Sequence, residues 1–550
     1  MEKGEIKNPF EQLMLSFLFL VVPLAVSFWT ITGMLDQYSE LRWFFIYGVS
    51  ALLLIGSFFS GFRVQFPDPR AHPGVLKAFL GALAFSILAA VLSFPASWEL
   101  QLLEWLCFSV LLLWIFSVAQ EEASLALLHR SIGFANGIAI LGVGGYLIAQ
   151  QTGHRWTYLA IHPGQQASLF GNKNYAASFF ATAALIQLSG YRNRGPLLRR
   201  IGSIAISLLA LYGLASMKAR GATLGFVAGA LLLGWYHLRL AKRVKIFLVS
   251  ALLAVSVLFA VFLSYRGVEE ASDTRKIRLA RWKNTIAMIL EHPFGVGSTR
   301  YEFDYVPYSS RFEVDPEITE YNTSKSPHNL PLQIAVEHGV FTMLLLSAIL
   351  AWILYRAGPL HPGAVAVLMG ILVDGFFAFP FQVPYTFFVF PVYLGIALQG
   401  VLPAGTLPDR LSTKLRGGAL AVIMMVGFLC VSSVMAESTD MNDERLMKRA
   451  CVNAPWRLRN CVSYANILGN QRRFSEAIDV ASDVLERQPN LFPMLFVLLE
   501  VHRLAGNQAE YCAVLGRFDG LFSWRSSLHE EWLSKCVPGG GGQKVESHAR

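Results

Sequence analysis

Long apolar runs separated by short polar stretches occupy most of this chain as far as residue 435. A helix needs roughly 20 apolar residues to cross a bilayer. Thirteen stretches qualify, near 12–32, 43–62, 75–95, 102–119, 131–150, 174–190, 200–217, 219–238, 245–264, 329–355, 363–379, 384–403 and 417–435. The pair 200–217 and 219–238 is the least separated. The pattern changes twice. Over 265–327 the apolar runs stop, leaving helical periodicity at 275–291 and a stretch over 301–325 rich in tyrosine and charge. After 435 the residues read as amphipathic helices: one from Phe474 through Leu485, closed by Gln488-Pro489-Asn490, and a pair over 491–504 and 508–520 broken at Gly506-Asn507.

The expected fold is all-α, a polytopic membrane protein with about 12–13 transmembrane helices. Its parts are N-terminal helices over 1–264, a large outer loop over 265–327, C-terminal helices over 328–435 and a small helical domain over 436–550. In that last part Ala477, Ala481 and the closing Pro489 look like half of a tetratricopeptide repeat, beside the plainer alternative of a disulfide-stapled helical domain. Gly539 to Gly542 read as a low-complexity end.

Composition agrees: 54% of residues are hydrophobic and only 15% charged. The first span is too long and too poorly flanked for a cleaved signal peptide. With Lys3 and Lys7 inside, the inner loops collect Arg63, Arg130, Arg199, Arg200, Arg243 and Arg356, whereas the short outer loops hold few basic residues. This puts 265–327 and everything beyond the thirteenth span outside. The net charge of +9 is mostly this topological signal, and no nucleic-acid module accompanies it. Cys107 and Cys430 fall in spans. Cys451, Cys461, Cys512 and Cys536 lie in the outer tail, where proximity suggests the pairs Cys451–Cys461 and Cys512–Cys536. Zinc is the rival, without the usual ligand spacing.

Four motifs gather on the outer side: Gly171-Asn172-Lys173-Asn174-Tyr175, Lys218-Ala219-Arg220-Gly221, Arg278-Leu279-Ala280-Arg281-Trp282 followed by His292-Pro293-Phe294-Gly295-Val296-Gly297, and Ser326-Pro327-His328-Asn329 with Glu337-His338-Gly339 beyond it. Arginine forks match phosphate oxygens, although Arg220 can equally snorkel at a span end and Arg281 can sit on a solvated helix face. His328 has the ordinary pKa of a general base working near neutrality, or it is an interfacial helix-start histidine. Asn329 can orient the imidazole or hold a sugar hydroxyl. Glu337 belongs to a structural polar network, and Asp304 and Asp315 look isolated, with no paired carboxylates to hold a metal. The tyrosines of 301–325 suit a ring-shaped polar ligand.

Together these motifs resemble the O-antigen ligase and polymerase superfamily of bacterial membrane glycosyltransferases, over roughly residues 10–435. Ala219 stands where the family's usual serine precedes the arginine. The resemblance implies an inner-membrane enzyme with a cytoplasmic N-terminus, a periplasmic tail and an undecaprenyl-diphosphate-linked glycan as donor. It implies Arg220 and Arg278 on the diphosphate, His328 as catalytic base, inversion at the anomeric carbon, and no cofactor or metal. Lys173, Asn174, Lys218, Arg281 and Asn329 complete the expected binding set. The acceptor would be lipid A core, with a growing lipid-linked glycan or a protein side chain as alternatives, and the tail offers a surface for a protein partner. From a different class, a transporter of lipid-linked sugars would place polar sites nearer the midplane, with internal repeats. A scaffold acting through the tail would leave His328 without a role.

Overall fold

The computed structural model describes Leu24 and residues 40–59, 64–92, 98–152, 168–170, 172–190, 197–237, 268–298, 300–318, 323–406, 413–425, 427–428, 442–453, 458–522, 530 and 534–536. The expected spans at 12–32 (Leu24 aside) and 245–264, together with Gly171, Tyr321, Cys430 and the glycine-rich end, lie outside the described residues.

The chain is an all-α membrane protein. Its membrane body contains α1 (Glu40–Phe59), α2 (Pro73–Leu92), α3 (Trp98–Ala119), α4 (Glu122–Gln151), α5 (Lys173–Gly190), α6 (Leu197–Met217) and α7 (Arg220–His237). After the outer helix α8 (Val268–Glu291) come α9 (Leu330–His338), α10 (Val340–Ala357), α11 (Pro362–Gly375) and α12 (Pro384–Leu398). A two-stranded ribbon, β1 (Gln65–Pro67) and β2 (Ala404–Thr406), is the one sheet among the described residues. The C-terminal tail is α13 (Glu444–Asn453), α14 (Leu458–Asn470), α15 (Phe474–Arg487), α16 (Phe492–Ala505) and α17 (Gln508–Leu521).

Helices α7 and α11 make the closest pairing in the body, and the sequence explains it. Gly221, Gly225 and Gly229 recur every fourth residue on α7, the small-residue spacing that lets membrane helices touch backbone to backbone. A Cβ on Gly225 would lie 2.4 Å from the Gly370 carbonyl oxygen, and one on Gly229 2.5 Å from that of Ala366. This stripe fixes the N-terminus of α7, and with it Arg220, against the outer end of α11.

The expected span at 329–355 is not one helix. It breaks at Gly339, which has φ +92° and serves as C-cap of α9 and N-cap of α10. The break is held by the His292–Gly297 motif. Val296 N–H donates to the Val336 carbonyl at 2.8 Å, Gly297 N–H to Glu337 at 3.0 Å, and Val340 N–H to Pro293 at 3.0 Å. Carbonyls and amides released by the break are thereby satisfied by another segment, the condition for interrupting a helix at membrane depth.

The tail is not a detached domain. Met288, Tyr301, Tyr305, Val306 and Val336 share one buried apolar cluster with Met447, Leu468, Leu485, Leu495 and Phe518. Phe303 meets Phe492 at 6.4 Å between ring centroids, and Gln488 Nε2 donates to Asp304 Oδ1 at 3.2 Å. Each tail helix packs on the next and α14 also packs on α16. Gly506, at φ +76°, ends α16 in the left-handed cap that glycine favours. Disulfides join Cys451 to Cys461 and Cys512 to Cys536, and Cys107 is buried outside either bridge.

Candidate functional site

Three non-glycine residues among those described have positive φ: Lys218 at 52°, His328 at 54° and Arg472 at 60°. The first two fall within the outer motifs. Left-handed backbone costs a residue with a Cβ about 1–2 kcal/mol, and it persists where the surroundings over-determine it. At His328 those surroundings are explicit. Its backbone N–H donates to Ser326 Oγ at 3.1 Å, and Ser326 Oγ in turn donates to Gln333 Oε1 at 2.9 Å. Trp282 Nε1 donates to the Pro327 carbonyl at 2.8 Å.

Asn329 caps α9, its Oδ1 accepting from Leu332 N–H at 3.0 Å, while its Nδ2 donates to the Phe376 carbonyl at 3.1 Å. Both ends of that amide are thus engaged with backbone and the residue is 8% exposed. The expectation that Asn329 orients the imidazole or holds a sugar therefore gives way to a positioning role.

The imidazole of His328 lies over Phe379 at 4.8 Å, and its Nδ1 is buried with no hydrogen-bond partner among the described residues. Burial first, then the positive charges of Arg281 and Arg278, push the ring down to about 3, so it is neutral at physiological pH.

The turn after α11 is where the motifs converge. The Phe377 carbonyl accepts Arg278 Nη1 at 3.2 Å, and the Phe376 carbonyl accepts Asn329. Phe379 carries His328 on one side and meets Tyr175 edge-on at 5.4 Å. Just below, Asp374 accepts Ser178 Oγ at 2.5 Å, and a Cβ on Gly221 would lie 3.0 Å from Asp374 Oδ1. Sequence reasoning missed Asp374. The signal was available, because a lone carboxylate in an apolar span is by default a functional candidate.

Arg220 is exposed at the N-terminus of α7, where the helix dipole adds partial positive charge. Arg278 is half-buried. Burial is the largest influence holding its guanidinium below the ordinary arginine value; Arg281 and Arg220 lower it further, while Glu317 and Asp374 oppose them. Lys218 is exposed in the turn between α6 and α7. Lys173 is exposed at the start of α5 and Asn174 is half-buried, its N–H capped by Asn172 Oδ1 at 2.8 Å. From that motif it is Tyr175 that reaches the His328–Phe379 pair.

Arg281, three residues from Arg278, has a different fate. It is 1% exposed, its Nε donates to Asp315 Oδ2 at 2.8 Å and its Nη2 to Asp315 Oδ1 at 3.2 Å and Glu317 Oε2 at 2.8 Å. Asp315 also accepts from Tyr305 Oη at 3.2 Å, so it is not isolated, and Asp304 pairs with Arg300 at 2.8 Å. Arg281 thus holds the outer loop together, in place of the substrate contact expected of it. The tyrosines are corrected likewise. Tyr301 and Tyr305 are fully buried, stacked at 4.9 Å, and Tyr301 Oη lies 2.9 Å from Thr285 Oγ1. They form the interior of the outer loop rather than a platform for a sugar ring.

The site that remains is a neutral, strained histidine above a turn, with Arg278 near it, Arg220 and Asp374 within electrostatic reach of Arg278, and Asp374 the nearby buried carboxylate. Arg281 is neutralised by its own pair of carboxylates, whereas Lys218, Arg220 and Arg278 leave this region with surplus positive charge suited to a multivalent anion. Residues 205–347, about a quarter of the chain, match the family described as O-antigen ligase, and the match supports the O-antigen ligase superfamily. It includes Lys218, Arg220, Arg278 and His328. No curated protein matches the chain.

Proposed function

We propose, from the O-antigen ligase superfamily match over residues 205–347, that this membrane protein transfers a glycan from undecaprenyl diphosphate to a hydroxyl acceptor on the periplasmic face of the inner membrane. The observation that carries the reading is His328 itself: a left-handed backbone, a buried Nδ1 without a partner among the described residues, and the charge of Arg278 close by.

The donor's diphosphate rests against Arg278 and Arg220, with Lys218 and Lys173 drawing it in. His328 takes the proton of the acceptor hydroxyl, whose oxygen attacks the anomeric carbon from the face opposite the leaving lipid diphosphate. That displacement inverts the anomeric centre. The arriving anion offsets the arginine charge that, after burial, lowers the imidazole's pKa, so the ring becomes a better base when donor is bound. The guanidinium groups stabilise charge developing on the leaving diphosphate, and the mechanism calls for no metal. Asn329, Ser326 and Trp282 fix the segment that carries His328. Arg281 and Asp315 hold the loop that carries Arg278.

Lipid A core is the acceptor we favour, with a lipid-linked glycan or a protein side chain as the other products the same chemistry allows. The tail, whose paired helices support a tetratricopeptide-like arrangement, lies over the outer loop where a long acceptor or a protein partner would arrive.

The test is transfer in proteoliposomes from radiolabelled undecaprenyl-diphosphate glycan, offering lipid A core, unlabelled lipid-linked glycan and periplasmic protein separately. Label moving with wild type and not with His328→Ala establishes the reaction, and the labelled product names the acceptor. Donor binding without transfer to any acceptor would replace the enzyme with a transporter or scaffold.

A further inference from the structure

The outer helix α8 carries a surface that the transfer reaction does not use. One face of it is buried: Ala280, Arg281, Asn284, Thr285, Ala287 and Met288 point into the outer loop and tail. The opposite face is exposed, yet its centre is apolar, with Leu279 at 48%, Ile286 at 45% and Leu290 at 74% exposure. At 3.6 residues per turn these three fall within roughly 40° of one another around the helix. Exposed basic residues flank the stripe, Arg275 on one side and Lys276 and Lys283 on the other. Lys283 also pairs with Glu313 at 3.0 Å.

Two anchors fix how α8 lies. Near its middle, Arg278 is bonded to Phe377, immediately beyond the end of α11. Past its C-terminus, Pro293 to Gly297 are bonded to the break between α9 and α10. The helix between them covers about 20 Å, so it is tied to the membrane body at both points instead of standing free of it.

Four residues beyond Leu290, past the exposed Glu291 and His292, Phe294 leads toward exposed apolar surface of the membrane body. Phe294, 41% exposed, stacks with Phe85 of α2 at 6.4 Å and lies 6.0 Å from Phe341 of α10. Phe341 and Leu344 on α10 and Ile87 and Leu83 on α2 are exposed apolar residues of helices in the membrane body.

We propose that α8 is an interfacial helix, its Leu279–Ile286–Leu290 stripe seated among the acyl chains just below the outer-leaflet headgroups and Arg275, Lys276 and Lys283 reaching to anionic lipid phosphates. An apolar strip bordered by long basic side chains is the arrangement that binds such a boundary, the apolar part entering while the charged tips stay at phosphate level. Continuity with α2 and α10 selects lipid over a second protein. The inference rests on the membrane reading of the fold and not on the proposed transfer reaction.

The experiment is spin labelling of the full chain in vesicles of phosphatidylethanolamine and phosphatidylglycerol, with single cysteines at Ile286→Cys and Leu290→Cys. Leu344→Cys serves as lipid-facing reference and Asp479→Cys, exposed on α15, as aqueous reference. Collisions with oxygen and with a water-soluble nickel chelate are compared by electron paramagnetic resonance. The expected result is that both α8 labels resemble Leu344→Cys, with oxygen favoured over nickel, and sit shallower in vesicles lacking phosphatidylglycerol. Nickel access equal to that of Asp479→Cys would overturn the proposal. So would shielding from both reagents together with disulfide-linked dimers of Ile286→Cys, which would assign the face to a second copy. Neither readout depends on turnover, so a failure here is separate from a failure of the transfer assay.

Discussion

Arg278 and Arg281 occupy adjacent turns of one helix, and the structure gives them opposite work, which makes Arg281→Ala an informative perturbation. Its guanidinium holds Asp315, a carboxylate with no exposed surface, through two hydrogen bonds, and also reaches Glu317. Removing one partner of a buried pair leaves an uncompensated charge and typically costs about 3–5 kcal/mol. At about 1.4 kcal/mol per tenfold, local opening of the outer loop should rise between about a hundredfold and a few thousandfold. Amide hydrogen exchange across 301–318 reads that directly, since Tyr301, Tyr305 and Asp315 are all buried there. Protection in α11 and α12 should be unchanged. Arg278→Ala should do the reverse, leaving 301–318 protected because its hydrogen bond runs to the Phe377 carbonyl, while donor affinity falls. Arg281→Met with Asp315→Leu should restore protection, as apolar replacement of a buried pair often does. Unchanged exchange in Arg281→Ala, accompanied by lost donor binding, would refute the division of labour between the two arginines.

Three further outcomes follow from the same geometry. His328→Gly removes the imidazole and relieves a left-handed backbone, so melting should hold or rise by the equivalent of about 1 kcal/mol while transfer falls by roughly 10²–10⁴; a clear fall in melting temperature would contradict the strain argument. Because the free imidazole is pushed down to about 3 and the unprotonated ring is the active form, kcat/KM should not fall on its account between pH 7 and pH 5, while the acid limb of kcat, with donor bound, should lie at higher pH. A kcat/KM limb near the ordinary histidine value would count against the burial of His328, and Arg278→Met should raise that limb. Gly295→Ala would set a Cβ 2.6 Å from the Glu337 carbonyl at a φ of +93°, so the Val296 and Gly297 amides should lose exchange protection by the equivalent of at least about 1–3 kcal/mol.

The spans that fall among the described residues, 329–355 excepted, together with the helix at 275–291, the tail helices and both disulfide pairs could be read from the sequence because each is a local pattern: apolar length, a 3.6-residue period, or cysteines close in the chain. Failures came where residues distant in the chain decide the outcome. The engagement of Arg281 depends on Asp315, 34 residues away, and helix periodicity shows only that an arginine has a face. Tyr301 and Tyr305 read as ligand contacts because composition marks 301–325 as polar, whereas they are buried in a cluster shared with the tail more than a hundred residues later. The break at Gly339 is an intermediate case. A glycine after Glu337-His338 is a helix-stop signal, but the apolar run on either side hid it. His328 was identified from its motif, whereas its strain and its unpartnered nitrogen exist only in three dimensions.

The core shared by the outer loop and the tail also sets a schedule for biosynthesis. Met288, Tyr301, Tyr305 and Val306 are synthesised long before Met447 and Phe518 can cover them. Some 130 residues, including the helices from α9 through α12, separate Ile318 from Met447, and at ~5–20 residues per second the delay is on the order of ten seconds. During that interval the half-built outer face presents unburied apolar side chains to whatever chaperones and proteases surround it. A chain cut short before the tail would remain in that state, with Arg278 mounted on an unfinished loop. Loss of activity on removing 436–550 would therefore report an unfinished catalytic face as readily as a missing partner surface.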